Sequence, residues 1–259
     1  MNTEETIQVI ATAPPPRSLY QRHQHLLHGR LAQFLGALLI VSSLSALLWH
    51  LLPLIYRFWN HSLGQLITNL ALEDARLITS TIIVPAWSNL EAAAISLPLT
   101  PPNLADLASH MTGAGLLYLL AGYLHAPFRA PLRLLAVFHG ACVLFSLALP
   151  DGLAYSVEDH TRTLSIFTQG LLLLLPAVMA CTHYIVERSN ERRILATLLI
   201  ATYLIAALPI KLLAHALLIQ AASNLAMPTL FLVFGPAFDI LAVTALYAWA
   251  VTWRHGPQY

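Results

Sequence analysis

The stretch ILATLLIATYLIAALPIKLLAHALLI, residues 194–219, decides the fold class of this chain. It contains one charged side chain, Lys211, and it exceeds the about 20 residues that an α-helix needs to cross the roughly 30 Å hydrocarbon core of a bilayer. Five further apolar stretches of this kind lie near residues 31–58, 104–124, 131–149, 163–186 and 225–253. The sequence therefore predicts an all-α polytopic membrane protein, with six transmembrane helices in a domain at 31–253.

The composition supports a membrane protein and excludes nucleic acid as a partner. Of the 259 residues, 58% are hydrophobic and 10% are charged, whereas about a quarter are charged in a typical soluble domain. The formal net charge is +1 and the arginines are spread over several segments, so no dense basic cluster is available to neutralise phosphates. We expect the partners to be the lipid bilayer and other membrane or periplasmic protein subunits.

Arginines occupy alternate polar breaks between the apolar stretches. They occur before the first stretch, in the breaks at 125–133 and 187–193, and after the last stretch, at Arg254. Short cytoplasmic loops carry an excess of basic residues. This pattern predicts that both termini are cytoplasmic and that the long break at 60–103 lies on the outer side.

The terminal segments are predicted to be tails of the membrane domain. Residues 1–30 contain three consecutive prolines and many polar residues, so we expect a partly disordered cytoplasmic tail. Residues 254–259 form a short second tail. The chain length and the lack of an organelle-targeting segment favour the bacterial inner membrane.

The outer loop at 60–103 contains two kinds of periodicity. Apolar residues recur at Leu63, Leu66, Ile67 and Leu70, the spacing of one helix face, which predicts an amphipathic helix that lies on the membrane or extends the first span. Two β-prone stretches then flank the break PAWSN and predict a β-hairpin. We expect a small outer lid.

Two charged residues lie well inside the predicted spans, Lys211 in the fifth and Asp239 in the sixth. A charge at membrane depth costs at least about 2.5 kcal/mol. The two residues differ in depth by roughly 7 Å at 1.5 Å per residue, a distance that a lysine side chain nearly covers. Two alternatives stay open: an ion pair between the helices, or a lysine that extends to the outer interface.

The surroundings of these charges favour a polar site. Pro236 removes an amide donor one turn before Asp239 and predicts a kink, and Pro209 does the same two residues before Lys211. His215 lies one turn after Lys211 on the same helix face. We therefore predict an intramembrane polar site formed by Lys211, His215 and Asp239.

Histidines open a second possibility, a b-type haem, which needs two imidazoles facing across helices. Counting residues from the outer ends gives three candidates at similar depth, His50, His110 and His215. The same count leaves His139 with no histidine at matching depth. No cofactor is predicted, and haem b is the minority alternative.

A polar group before the fourth span contains Asp151, Glu158, Asp159 and His160. Such side chains can bind a divalent cation or act in acid–base catalysis. Ser156, three residues before Asp159, instead resembles a helix N-cap, and this interpretation is favoured. The known motifs for a nucleophile elbow, a phosphate loop or a zinc helix do not occur in the sequence.

The sequence favours a non-enzymatic membrane subunit or accessory protein of a larger envelope or transport assembly, with a polar intramembrane site. One alternative is a b-type haem or quinone-linked redox membrane protein. Another is a proton- or ion-coupled small-solute transporter. An enzyme of the outer face that uses Asp159 and His160 is the last.

Overall fold

The computed structural model describes residues 19–70, 74–84, 87–99, 101–149, 156–182 and 189–252, and for 19–33, 80–84 and 87–89 the backbone alone. Within these ranges the helices are α1 (Leu19–Asn69), α2 (Leu104–Ala121), α3 (Ala126–Ala148), α4 (Val157–Cys181), α5 (Asn190–Ala222), α6 (Met227–Phe234) and α7 (Pro236–Thr252). A 3-10 turn, Asn224–Ala226, precedes α6, and two strands, β1 (Arg76–Val84) and β2 (Trp87–Ser96), lie between α1 and α2.

Six helical stretches in the described part of the chain are long and apolar enough to cross a membrane. The sixth comprises the 3-10 turn, α6 and α7 together. The predicted number of six spans is therefore confirmed, and the chain is a multi-pass membrane protein.

Helix α1 is much longer than a membrane requires. Its 51 residues extend over about 76 Å at 1.5 Å per residue. It begins at Leu19, inside the predicted tail, and continues through Leu63 and Ile67, whose side chains are buried. Residues 1–18 and the predicted tail at 254–259 lie outside the described residues, so the expected disorder stays a prediction.

The core of the bundle lies between α1, α4 and α5. Leu52 of α1, Leu164 of α4 and Ile200 of α5 are completely buried there. Small buried residues such as Ala196 and Ala216 allow α5 to approach its neighbours closely. Helices α2 and α3 pair as a helical hairpin, the α2–α3 hairpin, which contacts the rest of the described chain chiefly through the 3-10 turn and α6.

Strands β1 and β2 pair antiparallel, with Leu77 opposite Ile95 and Ile78 opposite Ala94. We call the end of the bundle where they lie the hairpin end. Residues Ala92, Ala93, Ala94 and Ile95 are at most 3% exposed, because β2 packs against α1, α4 and α5. The alanines have short side chains, which lets a strand lie directly on helices.

The free edge of β2 is covered by hydroxyl groups of α4. The Ile95 amide donates to Thr161 Oγ1 at 3.0 Å, and Ser165 Oγ donates to the Ala93 carbonyl at 3.3 Å. Thr161 and Ser165 are separated by about 6 Å along the helix, and Ala93 and Ile95 by about 6.8 Å along the strand. Because these two spacings nearly match, both bonds form together. These two backbone groups, which an edge strand would leave open, are thus satisfied.

Gly235 divides the sixth span into two helices. Its backbone angles, φ −86° and ψ −125°, are not helical, and α7 begins at the next residue, Pro236. A Cβ atom at position 235 would lie 2.2 Å from the Phe231 carbonyl oxygen, so glycine is required. The predicted kink is a complete break, and it places Asp239 in the first turn of α7.

Candidate functional site

Three helices bring Lys211, Asp239 and Thr168 together inside the bundle. Lys211 Nζ lies 2.5 Å from Asp239 Oδ2 and 3.2 Å from Thr168 Oγ1, and Thr168 Oγ1 donates to the same Asp239 oxygen at 3.1 Å. The side chains of Lys211 and Asp239 are 10% and 3% exposed. The pairing alternative therefore describes the structure, and Lys211 does not extend to the interface.

Two members of this cluster lie at matching positions along their helices. Thr168 and Lys211 each lie eleven residues from the hairpin end of their helices, counted from Val157 and to Ala222. Asp239 lies in the first turn of α7, where the positive end of the helix dipole stabilises a negative charge. Two buried charges that neutralise each other and share a hydroxyl avoid most of the cost of isolated burial.

His215 belongs to a separate contact next to this cluster. Its Nδ1 lies 2.9 Å from Nε2 of His160, and its Nε2 lies 3.3 Å from the carbonyl oxygen of Phe234, the last residue of α6. A carbonyl only accepts, so Nε2 of His215 carries the hydrogen. A neutral His215 then accepts at Nδ1 from His160 Nε2–H. The last carbonyls of a helix have no helical partner. Because the break at Gly235 ends α6, the Phe234 carbonyl is available to His215.

A second histidine pair lies between α2 and α3. His110 Nδ1 and His139 Nε2 are 3.0 Å apart, and His139 Nδ1 lies 2.8 Å from Thr229 Oγ1 of α6. This contact joins the α2–α3 hairpin to α6. The expectation that His139 has no histidine at matching depth is wrong, because His139 faces α2 at the level of His110.

Two of the three histidines proposed for haem have another histidine as their partner. His110 pairs with His139, His215 pairs with His160, and His50 is exposed on α1. Depth alone selected them, and depth carries no information on the direction that each side chain takes around its helix axis.

The polar residues predicted as one group before α4 have different environments in the structure. Ser156 is the N-cap of α4 and its side chain accepts from the Asp159 amide at 3.0 Å, so the predicted cap is confirmed. His160 instead is completely buried against His215, and Asp151 lies outside the described residues. Among the residues that are described, no group of three or more His, Cys, Asp or Glu side chains could hold a metal ion.

A cleft of about 330 Å³ reaches the cluster from the side of the bundle. Its polar groups come from Tyr203, Lys211, His215 and Asp239, and the remaining lining is apolar. A second cavity, of about 320 Å³, is lined by His160, Asn224 and Phe231. The bonded histidines His160 and His215 thus line two different cavities.

Sequence reasoning missed Thr168 and assigned His160 to the outer surface. Thr168 and its neighbour Gln169 are polar residues inside an apolar stretch, which is the signal that could have selected them. Gln169 also has a buried partner, since Tyr56 Oη donates to its Oε1 at 2.6 Å. For His160 the signal is its spacing of four residues from Leu164, an apolar residue of the predicted fourth span, which places both on one helix face.

Compared with known protein families, curated proteins and solved structures, the chain matches none of them.

Proposed function

We propose that this protein is a non-enzymatic subunit or accessory protein of a larger envelope or transport assembly in the bacterial inner membrane, with both termini in the cytoplasm. It works without a bound cofactor, and its hairpin end is the surface that contacts the other subunits. The observation that carries the proposal is the way the β-hairpin is fixed on helices that are longer than the bilayer.

The lengths of α1 and α5 support an extramembrane surface. The part of α1 at Phe34–Asn69 has 36 residues and α5 has 33, which correspond to about 54 and 50 Å of helix, against a hydrocarbon core of about 30 Å. The hairpin packs on α1, α4 and α5 and is bonded to Thr161 and Ser165. It forms a preorganised surface, and preorganisation reduces the entropic cost of binding a partner.

Four polar side chains of this surface are exposed. Asp74, Arg76, Thr79 and Glu91 are exposed, and Asn60 of α1 donates to the Glu91 carbonyl at 3.0 Å. Charged groups around an interface direct the encounter and the choice of partner more than they raise affinity. A protein partner, rather than lipid, fits this surface.

The orientation is tested by cysteine labelling in a chain whose Cys142 and Cys181 are changed to alanine. We expect a membrane-impermeant maleimide to label Glu91→Cys in intact spheroplasts, and to label Arg129→Cys only after lysis. Both residues are exposed, so accessibility differs only by side. The reverse pattern would overturn the orientation.

The assembly role is tested by a photoreactive amino acid placed in the native membrane at Thr79 or at Glu91. The matched control is Leu119 of α2, which is 63% exposed on the apolar surface. We expect discrete protein adducts of one mass from the hairpin positions and only lipid adducts from position 119. An absence of protein adducts at both hairpin positions would remove the proposal.

The break at Gly235 favours a second candidate, a proton- or ion-coupled small-solute transporter. Discontinuous helices with a charged residue at the half-helix end are a common way to build a transport site near the membrane midplane. In proteoliposomes with an entrapped pH dye, this candidate requires proton uptake that is lost in Asp239→Asn. Asp106→Asn is the control, because Asp106 belongs to the cap of α2. An unchanged dye signal with the intact chain would exclude proton coupling.

A further inference from the structure

The cleft beside Lys211 opens on the lipid-facing side of the bundle. It lies between α5 and the broken sixth span, and its walls include Ile210, Leu218, Phe234 and Phe238. These four side chains are between 42% and 65% exposed. In a membrane protein such exposed apolar side chains face lipid tails, so a molecule can enter the cleft from the bilayer without crossing water.

The floor of the cleft offers an unused hydrogen-bond donor. The Lys211 ammonium has three N–H groups. Asp239 and Thr168 accept from it, and no third acceptor is found among the residues that the structure describes. Tyr203 and His215 also contribute to the floor. A ligand oxygen in the cleft can therefore accept a hydrogen bond from Lys211.

The charges select a neutral ligand. Lys211 and Asp239 form a pair whose net charge is zero, so an anionic group is attracted by one and repelled by the other at nearly the same distance. The mouth of the cleft is lined by exposed apolar side chains, which face lipid tails. A charged headgroup remains at the interface because burial at membrane depth is costly. A neutral polar group dissolved in the hydrocarbon reaches this depth more readily.

The volume sets the size of the occupant. About 330 Å³ lies at the lower end of the range, roughly 300–1,000 Å³, of small-molecule pockets. The cleft holds one or two small rings or an equivalent group, and a longer apolar tail extends past Ile210 and Phe238 into the bilayer.

We propose that this cleft binds a neutral, lipid-soluble molecule with a carbonyl or hydroxyl oxygen, which accepts a hydrogen bond from Lys211. Its apolar body lies against Leu218, Phe234 and Phe238. The site goes beyond the proposed contact surface, because the hairpin end and the cleft are separate parts of the molecule. It can exist whether or not the protein belongs to an assembly.

A photoreactive carbonyl compound tests this site directly. The protein is reconstituted in phospholipid nanodiscs and illuminated with 4-decylbenzophenone, whose carbonyl is both the acceptor and the reactive group. We expect saturable labelling of peptides that contain Ile210, Ala214 or Phe238. A decyl-substituted benzoquinone competes for the site, whereas decylbenzene, which has the same tail without an oxygen, does not.

Two variants locate the site and its donor. Ala214 is exposed and lines the cleft, so Ala214→Trp fills it and lowers labelling by at least about tenfold, equivalent to a loss of 1.4 kcal/mol. Ala206→Trp is the matched control, an exposed alanine of the same helix, and leaves labelling unchanged. The double variant Lys211→Met, Asp239→Leu removes the ammonium donor without leaving a buried charge, and it abolishes the preference for the quinone over decylbenzene.

Several outcomes would overturn the proposal. Labelling that does not saturate, or that spreads over the lipid-facing helices, means that the probe only partitions into the bilayer. Equal loss in Ala214→Trp and Ala206→Trp places the label elsewhere. Stronger competition by dodecyl phosphate than by the quinone means that the ligand is charged. These results leave the adducts at Thr79 and Glu91 unaffected, so failure of the cleft and failure of the assembly role are distinguishable.

Discussion

Trp59 Nε1 donates a hydrogen bond of 2.8 Å to the carbonyl oxygen of Ile205, which has no helical partner because the residue four positions later is Pro209. The indole lies on α1 and is 2% exposed. In lipid, a helix interrupted by proline is tolerated when a neighbouring helix supplies the missing donor. A tryptophan on one helix and a proline on another thus form one structural unit.

Replacing Trp59 by phenylalanine should destabilise the bundle by about 1 to 3 kcal/mol, because the Ile205 carbonyl stays buried without a donor. The free energy of unfolding in mixed detergent and denaturing micelles measures the effect. Pro209→Ala restores an amide donor to this carbonyl. The same Trp59→Phe change should therefore cost clearly less in the Pro209→Ala background, and equal costs in both backgrounds would show that the hydrogen bond contributes nothing.

Gly235→Ala should disrupt the break in the sixth span. The added methyl group would lie 2.2 Å from the Phe231 oxygen and 3.1 Å from Leu164, so the backbone must shift. We expect a loss of about 1 to 3 kcal/mol in unfolding free energy, as for other overpacked sites.

Gly170→Ala serves as the control for this change. Gly170 lies inside α4 and a Cβ atom there meets nothing within 4 Å, so the change should stabilise α4 by roughly 0.5 to 1 kcal/mol. Similar destabilisation of both variants would show that the conformation at Gly235 is not special.

Thr161→Val should expose the edge of the β-hairpin. Valine has the shape of threonine but cannot accept the hydrogen bond from the Ile95 amide. We expect faster hydrogen exchange at the Ile95 amide, while the exchange of amides within α5 stays the same. Thr244→Val is the control, since Thr244 Oγ1 bonds only its own helix, at Ile240. Unchanged exchange at Ile95 would mean that the Thr161 hydroxyl does not protect this amide.

The histidine pairs lead to a spectroscopic prediction. In a directly bonded pair of imidazoles, one facing nitrogen carries a hydrogen and the other accepts it. An axial haem ligand must instead donate a nitrogen lone pair to the iron, so neither facing nitrogen is available while the pair is intact. We expect no Soret band from the protein purified with haem supplied. A band that disappears in His139→Ala or His215→Ala would instead establish the redox alternative.

The features that the sequence predicts well are local ones. Length and hydropathy define a membrane span along a single stretch, so six spans are readable without knowledge of their neighbours. The same holds for Ser156, whose cap needs only Asp159 three residues later. Lys211 and Asp239 can be selected from the sequence by the free-energy cost of burying a charge in the membrane, which makes any charge deep in an apolar stretch exceptional.

The features that the sequence does not predict depend on the rotation of one helix against another. Thr168 is ordinary by composition and becomes part of the cluster only because α4 turns that face toward α5 and α7. The His110–His139 contact depends on how α2 and α3 pack. The break at Gly235 is a third case, since proline alone predicts a kink and the tight contact with Leu164 comes from another helix.

The pair at the centre of the bundle gives the last prediction. Lys211→Met leaves the Asp239 carboxylate buried without its ammonium partner, and Asp239→Leu leaves the Lys211 ammonium without its carboxylate. Each change should lower the free energy of unfolding by about 3 to 5 kcal/mol and reduce accumulation in the membrane. The double variant buries no charge and should recover most of the loss, with a coupling free energy of at least about 2 kcal/mol. Thr168→Val, which removes one hydroxyl, should cost only about 1 kcal/mol. If Lys211→Met alone proved harmless while Asp239→Leu did not, the carboxylate would be held chiefly by Thr168 and the α7 dipole, and the ion pair would contribute little to the fold.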